Sequence, residues 1–224
     1  MTETTAGQAP GILFARMAPP PETEDAFNEW YETEHVPARL GVPGFVAAHR
    51  YKERDAEPDP AYAVVYEMES ADVVKGEAYR SMQAATAPRT DAVTGGLRAF
   101  HRSIARLHST AGEDLGDVGH PWLWVVAFSV PDDRAAAFDD WYDTEHVPLL
   151  LKAPGWRRTR RYVIESGNDH LTHLALHDID GPELLDAPER RAAGSTEWRA
   201  TLAAEPWFGR GARWLFNRIS TAKR

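Results

Sequence analysis

Two histidines occupy a repeated segment that also carries aromatic side chains. His35 and His146 each stand in the string Trp-Tyr-x-Thr-Glu-His-Val-Pro, with Tyr31 or Tyr142 four residues earlier. Residues four apart share one face of an α-helix, so each imidazole should lie beside a phenol. Imidazole exchanges protons readily near neutral pH. The pattern predicts catalytic proton transfer at both histidines; a structural histidine that caps its helix is the alternative.

The residues around each histidine refine this prediction. The following Val-Pro disfavours further helix, so we expect both histidines near a helix C-terminus, where the dipole raises the imidazole pKa. The adjacent Glu34 and Glu145 do not face the histidines. We expect them to pair with Arg50 or Arg161. We expect Trp30 and Trp141 to pack under the sheet, and stacking on a ligand is the alternative.

The histidine segment is part of a tandem duplication. Residues 27–51 align with residues 138–162 without gaps at an offset of 111, and residues 62–68 continue the pattern over residues 173–179. Near the ends, Phe100-His-Arg aligns with Phe216-Asn-Arg at an offset of 116. The larger offset predicts about five extra residues in the second helical region of copy two.

Each copy has the hydrophobic pattern of a β-α-β-β-α-β unit, the element order of the ferredoxin-like split βαβ fold. Such a sheet leaves one face uncovered, and two copies in one chain can cover both faces. We predict an α+β chain in which two ferredoxin-like βαββαβ repeats form an intrachain pseudo-dimeric barrel. The predicted divisions are a disordered N-terminus (1–10), a first repeat (11–108), a linker (109–121) and a second repeat (122–221).

The two copies of Phe-x-x-Trp-Tyr-x-Thr-Glu-His-Val-Pro, each followed by Pro-Gly-aromatic and Arg-Tyr, carry a resemblance. They resemble the EthD-like branch of the dimeric α+β barrel superfamily. The resemblance implies a cavity between sheet and helices, with His35 and His146 at the two rims. The superfamily includes lactone isomerases, polyketide cyclases and dehydratases, cofactor-free monooxygenases and haem-handling enzymes. Fold alone does not choose among these activities.

Strand alternation adds candidate substrate-binding residues. Leu174 and Leu176 suit the helix-packed face of their strand, so the alternate residues should point into the barrel. On a strand, His173 and His177 lie too far apart to bind one zinc ion. The predicted substrate-binding set is Tyr31, Tyr142, Trp30, Trp141, Tyr62, Tyr66, His173, His177, Tyr51 and Tyr162.

Composition excludes several classes of function. The chain has no cysteine, and its net charge of −9 argues against nucleic-acid binding. The basic cluster at residues 157–161 is expected to be a strand with solvated arginines. No apolar run is long enough to span a bilayer, and the start does not resemble a signal peptide, so a cytoplasmic location is expected.

Two hypotheses about function remain. The first is a cofactor-free lyase, isomerase or cyclase that acts on a small apolar, aromatic or polyketide-like molecule through His35 or His146. The second is a non-catalytic small-ligand or haem-binding protein with the same cavity. We expect no metal site and no cofactor, with a single axial histidine for haem as the exception. A monomer or a homodimer is expected, in which the two clefts need not be equivalent.

Overall fold

Both copies fold with the predicted order of elements. The computed structural model describes residues 9–56, 61–115 and 120–224. Its strands are hydrogen-bonded in the order β1-β3-β2-β8-β5-β7-β6-β4 and close into a barrel, which confirms the predicted α+β class. The strands are β1 (Gly11–Ala18), β2 (Phe45–Glu53), β3 (Tyr62–Met68), β4 (Ala99–Gly112), β5 (Trp122–Phe128), β6 (Trp156–Gly167), β7 (His173–Ile179) and β8 (Ala212–Lys223).

Helices follow the first and third strand of each copy. None in the described part of the chain is long and apolar enough to cross a membrane. The α-helices are α1 (Glu24–Trp30), α2 (Val36–Leu40), α3 (Glu77–Thr94), α4 (Asp132–Trp141), α5 (Val147–Leu150), α6 (Pro188–Ala193) and α7 (Glu197–Ala203).

The chain divides into two compact units whose limits fall inside strands. The first unit extends to Leu107 and includes Ile219–Arg224, and the second is His108–Arg218. The predicted linker 109–121 therefore begins inside β4, which runs to Gly112. Residues 1–8 of the predicted disordered N-terminus and residues 116–119 of the predicted linker lie outside the described residues.

The register of the last strands corrects the predicted insertion. Ala15 on β1 pairs with Arg102 on β4, and Val126 on β5 pairs with Arg213 on β8. Both members of the second pair lie 111 residues after those of the first. The alignment of Phe100 with Phe216 was therefore wrong, because backbone pairing fixes a register that the local match of three residues missed. Copy two has no extra residues between these strands.

The second helical region differs in continuity instead of length. Copy one has the 18-residue helix α3, whereas copy two has the short helices α6 and α7. Gly194 follows α6 at the position of Gln83 in copy one, and Thr196 caps α7 by accepting a hydrogen bond from the Arg199 N–H. Glycine disfavours helix continuation, so the break has a local cause.

The faces of the central strands are opposite to those predicted. Tyr62 and Tyr66 pack with the helix residues of the first unit. His173 packs against Phe138, and His177 bonds to Tyr142, so both point to the helices of the second unit. Leucine size was a poor guide here, because the helices present aromatic side chains that pack against other rings.

The basic cluster of β6 is also less solvated than predicted. Arg158 and Arg160 form ion pairs with the fully buried Asp178 at 2.8 and 3.3 Å. Arg161 is buried on the helix side and pairs with Asp143 at 2.9 Å. Arg157 is half-buried and pairs with Asp180.

A glycine in each Pro-Gly turn supplies a testable feature of the fold. Gly44 and Gly155 have φ values of 93° and 99°, which other residues adopt with strain. A Cβ atom on Gly44 would lie 2.6 Å from Val73 Cγ2, whereas one on Gly155 would have its nearest neighbours at 3.1 Å. We expect Gly44→Ala to lower the free energy of unfolding by about 1–3 kcal/mol and by more than Gly155→Ala.

Urea denaturation measures both effects. Gly96→Ala is the matched control, because Gly96 has no positive φ and a Cβ there would meet nothing within 4 Å. Equal stability of the Gly44→Ala and Gly96→Ala variants would contradict this account.

Candidate functional site

The histidine motif forms a π-helical turn in both copies. Residues Tyr31–His35 and Tyr142–His146 are π-helical, and the N–H of Val36 donates to the Tyr31 carbonyl five residues earlier. A π turn inside an α-helix is rare and occurs often at functional sites. It also accommodates the proline that follows, because helical conformation continues through Val36 and Val147 into α2 and α5. The predicted helix end at the histidines was therefore wrong.

This turn places tryptophan and histidine against each other. Residues five apart point about 140° away from each other around a regular α-helix. In the π turn, the ring centroids of Trp30 and His35 are 4.3 Å apart, and those of Trp141 and His146 are 4.6 Å apart. The tyrosine also contacts the histidine, with Tyr31 centred 4.6 Å from His35. The backbone turn thus builds a Trp-Tyr-His cluster in each copy.

His35 is a hydrogen-bond acceptor at Nδ1. Arg39 Nη1 donates to this atom at 3.0 Å. A guanidinium cannot accept a hydrogen bond, so a neutral His35 carries its proton on Nε2. His35 Nε2 has no partner among the described residues and is not one of the fully buried unpartnered atoms. Its N–H therefore remains available to a ligand.

His146 has the opposite arrangement. Its Nδ1 lies 3.1 Å from the carbonyl oxygen of Ala193. A carbonyl only accepts, so Nδ1 carries the proton and Nε2 has the free lone pair. Ala193 is the last residue of α6, and the helix break leaves its carbonyl available. The two motif histidines are therefore opposite tautomers.

Both histidines are neutral at physiological pH. Burial, and then the charges of Arg39 and Arg50, lower the pKa of His35 to about 2. Burial is also the main cause that lowers the pKa of His146 to about 4, while its bond to Ala193 acts in the opposite direction. The raised pKa predicted from a helix terminus was wrong, because neither ring lies at a helix end.

Each histidine lines a cavity within its own unit. The first cavity has a volume of about 350 Å³ and is lined by His35, Trp30, Tyr31, Tyr66 and apolar residues of β1. Cavities of this size accept small molecules.

The second cavity, of about 400 Å³, has aromatic walls and a cationic side. Four arginines line it, and no carboxylate does. Its principal lining residues are Trp124, Phe128, Trp141, Tyr142, His146, Phe208, Arg190, Arg191, Arg199 and Arg213.

A buried hydrogen-bond chain supports Tyr142. The Trp156 indole N–H donates to Nδ1 of His177 at 3.3 Å. Since indole is only a donor, the proton of His177 is on Nε2, which lies 3.2 Å from the Tyr142 hydroxyl. The Tyr142 hydroxyl can then donate its own proton to a ligand, and burial raises the Tyr142 pKa so that it stays protonated. His177 thus orients the Tyr142 hydroxyl by donating a hydrogen bond to its oxygen.

The other predicted residues are distributed around these cavities. Tyr62 lies outside the first cavity and bonds to Glu24 and Asn28. His173 lies near Asp139 beside Phe138. Tyr51 and Tyr162 lie on the sheet face opposite the helices, paired with Ala63 and Leu174. Neither tyrosine lines one of these two cavities, and their contact with substrate stays a prediction.

The predicted pairing of the motif glutamates was wrong. Glu34 lies 3.3 Å from Arg89, and Arg50 pairs with Glu32 instead. The carboxylate of Glu145 accepts from the Trp141 indole at 3.1 Å and from Thr196 at 2.6 Å. Glu145 therefore fixes the tryptophan that stacks on His146.

The lining arginines of the second cavity were missed from sequence. Arg190, Arg191 and Arg199 lie on two short helices, and Arg213 lies at the start of β8. No motif marks them. Arg190 and Arg199 have no equivalent arginine in copy one, where Tyr79 and Pro88 stand 111 residues earlier. Only an alignment that keeps the offset of 111 through the whole repeat could have singled them out.

Comparisons with known proteins support the fold. No protein-family model matches the sequence, and no curated protein matches it significantly. Among solved structures, an anthrone oxidase-like protein has a TM-score of 0.71 at 15% identity, covering 97% of this chain and 94% of its own. A chlorite dismutase variant from Candidatus Nitrospira defluvii, in complex with cyanide, has a TM-score of 0.58 at 10% identity, with 96% and 92% covered.

A third similar structure is a ferredoxin-fold protein from Listeria monocytogenes that is related to antibiotic biosynthesis monooxygenases. Its TM-score is 0.51 at 9% identity, covering 97% of this chain and 99% of its own. At such identities the likeness shows the fold alone. The fold is that of the dimeric α+β barrel, ferredoxin-like proteins.

The buried neutral state of His146 makes stability depend on pH. In the unfolded chain this histidine takes up a proton near its ordinary pKa of 6.5, whereas in the folded chain it does so near 4. The unfolded state therefore binds more protons between these values, and stability falls as pH is lowered through them. We expect His146→Gln to reduce this loss by up to about 3 kcal/mol at pH 4.

Urea denaturation at several pH values between 7 and 4 measures the difference. The matched control is His170→Gln, since His170 is exposed. Identical pH dependence of the wild type and the His146→Gln variant would contradict a neutral, buried His146.

Proposed function

We propose that this protein is a cofactor-independent lyase, isomerase or cyclase for a small aromatic or polyketide-like molecule, with His146 as its general base. The observation that carries the proposal is the lone pair of His146 Nε2, which is open to an aromatic cavity while Nδ1–H is held by a backbone carbonyl. This is the tautomer that a base requires.

The proposed step is removal of a proton from a carbon next to a carbonyl. The C–H bond breaks, Nε2 of His146 gains the proton, and the electron pair moves to an enolate oxygen. The new imidazolium keeps its bond to the Ala193 carbonyl. Return of the proton to a different atom completes an isomerisation, and attack of the enolate carbon within the same molecule begins a cyclisation.

Charge around the cavity compensates for the weak basicity of His146. Arg199 and Arg190 lower the pKa of His146 because they oppose its protonation. The same positive charges stabilise the negative enolate that proton removal creates. The Tyr142 hydroxyl, supported by His177, is a second donor for the developing oxyanion.

The first cavity is proposed to bind a ligand without acting as a base. His35 Nδ1 is occupied by Arg39, and its free Nε2 carries a proton. That N–H can orient a carbonyl group of a bound molecule but cannot accept a proton. The duplication therefore gives two cavities with different roles.

Hydrogen–deuterium exchange tests this proposal directly. Anthrone, β-tetralone and α-phenyl-butyrolactone carry acidic C–H bonds next to a carbonyl or aromatic ring, and proton NMR in deuterium oxide follows their exchange. We expect exchange above the buffer rate with at least one probe. His146→Ala should slow the protein-dependent rate by roughly 10²–10⁴-fold, the usual contribution of a general base.

His35→Ala is the matched control, because it removes the equivalent histidine of the other copy. We expect it to change the exchange rate by less than tenfold. Exchange at the buffer rate with all three probes, or equal losses in the two variants, would contradict the proposed role of His146.

Haem binding is the second candidate, favoured by one feature of His146. A histidine that binds a metal through Nε2 usually donates Nδ1–H to a carbonyl or carboxylate, as His146 does. His146 would hold the haem iron through Nε2, and Arg190 and Arg199 would pair with the propionates. Bound haem would supply redox chemistry at its iron.

Haem titration followed by absorbance distinguishes this candidate. Haem binding at His146 requires a Soret band that saturates at one haem per chain and is lost in His146→Ala but kept in His35→Ala. An unchanged spectrum in the wild type would reject the haem candidate and leave the proton-transfer proposal intact.

Three further expectations belong to the same proposal. The doubled Phe-x-x-Trp-Tyr-x-Thr-Glu-His-Val-Pro motif supports assignment to the EthD-like branch. A cytoplasmic location and a monomeric or homodimeric state are the remaining parts. Size-exclusion chromatography with light scattering measures the last of these.

A further inference from the structure

The second cavity contains three guanidinium groups without an acidic partner. Among the described residues, no carboxylate lies within ion-pair distance of Arg190, Arg199 or Arg213. The guanidinium groups of Arg190 and Arg199 also make no hydrogen bond to the described part of the chain, and that of Arg213 donates only to the Gly211 carbonyl. Most of their donors are therefore available to a ligand.

Aromatic walls hold these three charges in place. The guanidinium carbon of Arg190 lies 5.4 Å from the centroid of Trp124, and that of Arg199 lies 5.5 Å from Phe208. Arg213 lies 5.9 Å from the ring of Phe128 in the same way. All three rings line the cavity. Cation–π contact therefore positions each charge on a wall of the cavity.

The three charges repel one another in the absence of an anion. Burial and then the charge of Arg213 lower the pKa of both Arg190 and Arg199, and Arg190 acts further on Arg199. Asp186 is the acid that opposes this effect at Arg190. An anion between them would remove the repulsion and gain charge-assisted hydrogen bonds. In a chain with a net charge of −9, this concentration of positive charge is local.

The first cavity lacks this arrangement. Among the positions of copy one that match Arg190, Arg199 and Arg213, only the last holds an arginine, which is Arg102. The guanidinium of Arg102 lies 3.3 Å from the Tyr79 hydroxyl. Its other arginine, Arg39, is bonded to His35. The remaining polar lining consists of uncharged groups such as Gln83 and Thr90. The two cavities therefore differ in charge as well as in histidine tautomer.

We propose that the second cavity selects aromatic molecules that bear a carboxylate, held by Arg190 and Arg199 while the ring system packs against Trp124, Phe128 and Phe208. Planar guanidinium groups match the two oxygens of a carboxylate. The inference deepens the proposed function, since it names the class of substrate for the His146 cavity. Binding and turnover are nevertheless separable, because replacing His146 removes the base and leaves both arginines in place.

Isothermal titration calorimetry with β-naphthoate and β-naphthamide tests the charge preference. The two probes have the same ring system and differ in charge. We expect the wild type to bind the carboxylate at least roughly tenfold more tightly than the amide, the effect of one charge-assisted hydrogen bond. Higher salt should weaken binding of the carboxylate only. Equal affinity for both probes, or no heat from either at millimolar concentration, would overturn the proposal.

Variants locate the site. The Arg190→Gln, Arg199→Gln double variant should bind both probes within about twofold of each other, with thermal unfolding as a check that it folds. Arg102→Gln is the matched control in the first cavity, and Arg134→Gln controls for surface charge. A loss of preference in Arg102→Gln, with preference retained in the double variant, would overturn the assignment to the second cavity.

His146→Ala separates this proposal from the proposed function. It should keep the preference for β-naphthoate, because the arginines remain. Preference without proton exchange in the wild type would refute the catalytic proposal and support this one, whereas exchange without preference would do the reverse.

Discussion

A π-helical turn is the constraint on which both cavities depend. In a regular helix, Trp30 and His35 would point in different directions. The turn stacks their rings, and it does the same for Trp141 and His146. It also carries the helix through the following proline, which keeps each histidine inside the structure. Burial in this turn, more than any charge, makes both imidazoles neutral. Nearby guanidinium groups then strengthen the effect.

The same backbone supports two different chemical states of one residue. Copy one has Arg39 and a continuous α3 beside its histidine, and Arg39 donates to the ring. Copy two has Leu150 in place of this arginine and a helix break that exposes the Ala193 carbonyl. The ring of His146 therefore donates where that of His35 accepts. A change of hydrogen-bond partner around the same backbone turn thus gives the two histidines opposite tautomers.

The arginines of the second unit also differ in their partners. Ion pairs with Asp178 and Asp143 neutralise Arg158, Arg160 and Arg161, although these arginines form the densest basic cluster in the sequence. The second-cavity arginines that have no acidic partner among the described residues, Arg190, Arg199 and Arg213, lie on two short helices and at the start of β8. The positive charge that lines the second cavity is therefore recognised by its contacts with aromatic rings, and not by a local density of arginine in the sequence.

The sequence by itself determined the duplication, the order of elements and the barrel class, because hydrophobic periodicity and a repeated motif are local properties of a chain. It also singled out His35, His146 and their aromatic neighbours. Tertiary structure alone decided which face Tyr66 and His177 occupy, where β4 ends, and which nitrogen of each histidine is protonated. These outcomes depend on partners distant in sequence, such as Ala193 for His146, and a period-two pattern is satisfied equally by either face of a sheet.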